Sequence, residues 1–126
     1  MVPEGLNVLL VEDDAEVGVV VRNFLDTLRC KVTVAASGEQ ALIALGTDAT
    51  FDLLLTDIAL GAGMRGTDLA AQAQKRFPKM AVLLMSGFSS ELLDADRDSP
   101  RSWELLRKPY TREELARAIA RVVSLK

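Results

Sequence analysis

Histidine is absent from this chain of 126 residues. Its absence excludes Ser-His-Asp and Cys-His nucleophilic chemistry, His-ligated zinc and a histidine of the chain's own that could be phosphorylated. Cysteine occurs once, at Cys30, so no internal disulfide can form. In "RCKVTV" that thiol reads as a small strand residue rather than a nucleophile, and a single cysteine fits a reducing compartment. Basic charge is in deficit, with 15 Lys and Arg against 18 Asp and Glu and a net charge of -3. Nucleic acid is therefore offered no basic footprint. No apolar run approaches the roughly 20 residues of a membrane span. The opening "MVPEGLNV" also lacks the basic start and apolar core of a signal peptide. These absences lead us to expect a cytoplasmic protein that contacts neither nucleic acid nor membrane.

What remains is the composition of an ordinary globular domain, 49% apolar and 26% charged, long enough for one core. Short apolar or β-branched runs recur at 6–11, 30–35, 51–56, 80–85 and 103–107 and read as five strands. Helical spacing fills the gaps between them. Val17, Val20, Val21, Phe24, Leu25 and Leu28 recur at helical spacing, behind an acidic cluster whose last member, Asp14, is placed to cap the helix. Ser37 with Gln40, and Thr111 with Glu114, are capping-box pairs opening two further helices. "TDLAAQAQKRF" supplies another, stopped by Pro78. Only 88–102 is weak, with Phe88, Leu92 and Leu93 as its apolar content, and a short helix is expected there.

Strands alternating with helices, with nearly all-apolar central strands, predict an α/β fold: a single-domain (βα)5 parallel five-stranded sheet, doubly wound, with helices on both faces. In such sheets the site lies beyond the carboxyl ends of the strands. Glu12 and Asp13 follow the first strand, Asp57 ends the third, Ser86 follows the fourth and Lys108 the fifth. Each alone has an ordinary explanation as a helix-start acid, a turn cap or a solvated charge. Together, three carboxylates at one edge repel one another by about 1 kcal/mol per pair at 4 Å in water, and by more at lower dielectric, so the cluster calls for a cation. Oxygen ligands without His or Cys favour Mg2+, with Mn2+ possible. A divalent ion, a carboxylate, a hydroxyl and an ammonium form a constellation for phosphoryl transfer with Asp57 as nucleophile.

"VLLVEDD", "DLLLTD", "VLLMSG" and "LLRKPY", in that order and spacing, resemble the receiver domain of two-component response regulators, over essentially the whole chain. The resemblance implies a flavodoxin-like sheet in strand order 2-1-3-4-5, with residues 1–126 forming one receiver domain and no effector domain. Asp57 is then the phosphoacceptor, served by a histidine kinase or a histidine phosphotransfer protein. Glu12 and Asp13 hold Mg2+, directly or through water, with Asp57 and the backbone carbonyl of Ala59. Ser86 supplies the hydroxyl and Lys108 the ammonium that meet the phosphoryl oxygens. The output runs through binding of a downstream protein. The module is a signalling receiver, not an enzyme, promoting only its own phosphotransfer and dephosphorylation.

Three features depart from the family pattern. Gly61 stands where proline is usual, which predicts a more mobile loop after the third strand. Leu105 occupies the place of the usual aromatic switch, so the conformational change is expected in Ser86, the weak helix and the Gly61 loop. "LLRKPYTREELARAI" is most similar to receivers associated with hybrid histidine kinases. Ala59 and Phe88, without groups that orient water, are expected to frame the phosphoryl group and slow its loss. Other readings stay open: a non-phosphorylated pseudo-receiver, and a haloacid-dehalogenase-type phosphatase, although that family places a second acid where Ala59 stands. A calcium loop at "DADRDS" fails for want of Gly and Glu at the required positions. Trp103 is either a strand-edge hydrophobe or part of a partner surface, which its burial decides.

Overall fold

A computed structural model describes residues 2–47, 50–61, 63–87 and 103–124. Its elements run β1 (Asn7–Val11), α1 (Ala15–Thr27), β2 (Lys31–Ala35), α2 (Gly38–Leu45), β3 (Leu53–Asp57), α3 (Gly66–Arg76), β4 (Ala81–Ser86), β5 (Glu104–Arg107) and α4 (Arg112–Ser124). All strand pairs are parallel, and the sheet order is β2-β1-β3-β4-β5. The alternation of periods led to a doubly wound parallel sheet, and the flavodoxin-like strand order is the one the resemblance implies. The short helix expected over 88–102, the role given to Phe88 and the "DADRDS" segment lie outside the described residues.

Side-chain alternation along the strands divides the core into two layers. Val8, Leu10, Leu53, Leu55, Leu83, Met85 and Leu106 face α1 and α4, where Val21, Leu25, Leu115 and Ile119 meet them. Leu9, Val11, Leu54, Val82 and Leu84 face α2 and α3, where Ala41, Leu45, Leu69 and Ala73 meet them. The central β3 and β4 are buried along their whole length, because helices cover both faces.

The helix starts follow the local chemistry of the sequence. Asp14 accepts from the backbone N–H groups of Glu16 and Val17 and caps α1. Ser37 accepts from Gln40 N–H at α2, while the Gln40 amide oxygen returns to Ala36 N–H. Thr111 and Glu114 form the reciprocal box, at 2.8 and 3.0 Å, that opens α4. Each strand begins one or two residues inside its apolar run, and the largest difference is at β3, which starts at Leu53 rather than Phe51. Asp52, just before it, is already fastened to β1: its carboxylate accepts from Asn7 N–H, and its own N–H donates to Asn7 O. Trp103 is buried, and its indole N–H donates to the Gln74 amide oxygen at 2.7 Å, which answers the question of its role in favour of the core. Among the described residues, no helix is long and apolar enough to cross a membrane.

Candidate functional site

The carboxyl ends of β1, β3, β4 and β5 bring the site residues together. Glu12 and Asp57 are both buried, 4% and 6% exposed, although each is a carboxyl. Lys108, the first residue after β5, reaches back to both: its Nζ lies 2.6 Å from Asp57 Oδ1 and 2.9 Å from Glu12 Oε1. Glu12 Oε2 also accepts from Asp14 N–H at 3.2 Å. Asp13 is exposed, yet a carboxylate oxygen from each of Glu12, Asp13 and Asp57 lies within 4.8 Å of the other two. The pattern of a buried acid, an exposed acid and a strand-end acid therefore closes into one oxygen cluster. Those are hard donors with no His or Cys among them, the set suited to a small divalent cation that keeps part of its water shell.

The charges on this cluster are coupled. Burial first, and then the neighbouring Glu12, push the Asp57 carboxyl up to about 8, against the opposing pull of Lys108. Burial acts on Glu12 in the same sense. There, however, the hydrogen bonds with Asp57 and Lys108 and from Asp14 N–H prevail together and hold it below the usual carboxylate range. Lys108 is disfavoured by burial but raised overall by its bonds to Asp57 and Glu12. Burial and mutual repulsion thus favour the protonated form of Asp57, while Glu12 is held ionised beside the Lys108 ammonium.

Ser86 is fully buried at the end of β4, one residue beyond Met85, which pairs in register with Asp57. Its carbonyl accepts from Lys108 N–H at 2.8 Å, joining the hydroxyl-bearing and ammonium-bearing segments through the backbone. Ala59 is exposed, two residues past Asp57. Gly61 adopts φ +72° with Asp13 Oδ2 only 3.1 Å from where a Cβ would stand, so glycine serves here both for its backbone and for its lack of a side chain. The loop closes where Gly66 N–H donates to Ile58 O at 2.8 Å. Leu105 is half-buried and packs on the α2–α3 side of the sheet.

Sequence reasoning placed Glu12, Asp13, Asp57, Ala59, Ser86 and Lys108 at one edge. It missed the direct Glu12–Lys108 bond and two positions that only tertiary contact reveals. One is Gly66, where a Cβ would overlap the Asp57 carbonyl. The other is Tyr110, whose hydroxyl donates to Met85 Sδ at 2.9 Å.

Comparison with known proteins agrees with this architecture. The family model described as the response regulator receiver domain matches residues 8–120. The response regulator receiver protein CpdR of Brucella abortus is 31% identical over 92% of this chain and 95% of its own length. The aerobic respiration control sensor protein ArcB of Escherichia coli is 40% identical over 60% of this chain, which corresponds to 9% of that protein. A response regulator receiver protein from Sinorhizobium medicae superposes with a TM-score of 0.88 at 26% identity, covering 96% of both chains. With the matched segment carrying every strand and the whole oxygen cluster, the chain belongs to the response regulator receiver domain family of two-component signalling.

Proposed function

We propose that Asp57 is a phosphoacceptor and that this chain works as a phosphorylated switch, taking its phosphoryl group from a histidine kinase or a histidine phosphotransfer protein. The observation that carries the reading is Lys108 Nζ held between the Asp57 and Glu12 carboxylates, with Asp13 completing an oxygen cluster. A buried acid pair with no function would be a costly feature of a core. Asp13, Asp57 and the Ala59 carbonyl, with Glu12 beside them, would hold Mg2+ or Mn2+, which would supply positive charge to offset the carboxylates and the phosphoryl oxygens.

An oxygen of ionised Asp57 attacks phosphorus and forms the acyl–phosphate bond. The phosphorus–nitrogen bond of the donor breaks, and its electron pair stays on the imidazole nitrogen. Lys108 loses its bond to the attacking carboxylate and turns to a phosphoryl oxygen, while the Ser86 hydroxyl donates to another. Beside Lys108, a cavity of about 250 Å3 lined by Val17, Val20, Val21, Phe24, Pro109 and Tyr110 offers an apolar seat for the helix that presents the donor histidine. Output then passes through binding of a downstream protein.

Fluoroberyllate, which mimics an aspartyl phosphate, tests this directly. Bound fluorine resonances should appear with Mg2+ present and vanish with excess chelator or in Asp57→Asn. Binding that survives either change would refute the assignment.

A further inference from the structure

Tyr110 carries a group that packing does not require. Its ring belongs to the layer beneath α1 and α4 and lies 6.5 Å from the Phe24 ring, work a phenylalanine would do equally well. The hydroxyl instead is withdrawn from water to donate to a thioether, a weak acceptor, at Met85 Sδ. Burial, and then the negative charge of Asp57 and Glu12, push the phenol up, so the hydroxyl remains a donor across the physiological range.

Met85 is the point where the site-bearing segments meet. It is fully buried, stands opposite Asp57 in the β3–β4 register, and its carbonyl accepts from Ile58 N–H at 3.0 Å. The next residue, Ser86, accepts from Lys108 N–H, and Tyr110 lies two residues beyond Lys108. The Tyr110–Met85 bond therefore closes a ring: Met85 to Ser86, across to Lys108, on to Tyr110 and back. The Tyr110 bond adds a side-chain fastening, beyond the end of β5, to the backbone pairing that already joins β4 and β5 as far as Ser86 and Arg107.

We propose that Tyr110 is a positioning residue of the phosphoacceptor site, its hydroxyl fixing the end of β4 against the β5–α4 turn so that Ser86 and Lys108 address one phosphoryl group together. The inference rests on the phosphoacceptor reading of Asp57. It also gives the α1–α4 side of the sheet a connection to the site that does not pass through Leu105, which lies on the opposite side.

The test is a double-variant cycle of Tyr110→Phe, Met85→Leu and the pair, read by the rate of phosphorylation from acetyl phosphate at saturating Mg2+. Each single variant should lose roughly three- to ten-fold, a modest case of misplacing groups about a reacting centre. The pair should lose no more than the worse single. Mg2+ affinity should stay within about two-fold, since neither substitution touches a proposed metal ligand. Wild-type rate in a folded Tyr110→Phe, or multiplicative losses in the pair, would overturn the proposal. The amide resonances of Ser86 and Lys108 in unphosphorylated Tyr110→Phe give a readout free of chemistry: both should shift, and unmoved signals overturn the proposal. Should the wild type take up no phosphoryl group, the reading of Asp57 fails, and those resonances alone decide the role of Tyr110.

Discussion

Lys108 Nζ sits 2.6 Å from Asp57 Oδ1, bringing a residue beyond the last strand against the tip of the central one. The ammonium partly relieves the burial of that carboxyl but does not remove its penalty, since the balance of burial and Glu12 still leaves Asp57 near 8. Burial and carboxylate repulsion at this site are thus an electrostatic cost that positive charge would relieve.

A pH dependence of stability follows. The folded-state value of Asp57, about 8, lies above the ordinary aspartate value of 3.8, so the native state holds this proton more tightly than the unfolded chain. Stability from this group is present below about pH 4 and is lost as pH rises towards 8. Asp57→Asn, which carries no titrating group, should be the more stable protein in chelator at pH 8, by an amount on the order of a few kcal/mol. Its advantage should shrink towards pH 4.5. Thermal melts of both proteins across that range check it, and a pH-independent difference would contradict it.

Gly66 backs Asp57 directly. A Cβ there would overlap the Asp57 carbonyl and stand 3.0 Å from Ile58 Cα, and neither backbone group has a flexible end with which to yield. Gly66→Ala should destabilise the fold by about 1–3 kcal/mol and shift the Asp57 amide resonance. Denaturant unfolding together with an amide spectrum measures both.

Thr67 presents the opposite case. It is 3% exposed, and its hydroxyl has no hydrogen-bond partner among the described residues. Valine keeps the shape and removes the unpaired group, so Thr67→Val should gain roughly 1 kcal/mol. A loss in denaturant midpoint would mean that the hydroxyl has a partner.

Glu12 and Asp13 differ in readiness for a cation. Glu12 is buried and committed to Lys108 and Asp14 N–H, whereas Asp13 is exposed beside Gly61. Asp13→Ala should therefore weaken Mg2+ binding more than Glu12→Gln does. Metal titration followed by amide shifts gives the ranking, and equal losses would remove it.

Much of this was legible in the sequence because local chemistry sets it. Asp14, Ser37 and Thr111 cap the helices their spacing announces, and the all-apolar β3 and β4 read as buried parallel strands. The edge location of the site residues follows from topology alone. The rest depends on contacts between distant segments. Nothing local marks Gly66 as lying against Asp57, the Tyr110 hydroxyl as bonded to Met85, or Trp103 as tied to Gln74. The start of β3 at Leu53 was not marked either, because the run 51–56 gives no local sign of where the regular strand begins.

The central claim is that Asp57 carries the signal, and intact mass after incubation with acetyl phosphate and Mg2+ tests it most directly. The account predicts one added phosphoryl group on the wild-type chain, none with excess chelator and none in Asp57→Asn. Addition to Asp57→Asn, or none to the folded wild type with Mg2+ present, would contradict it.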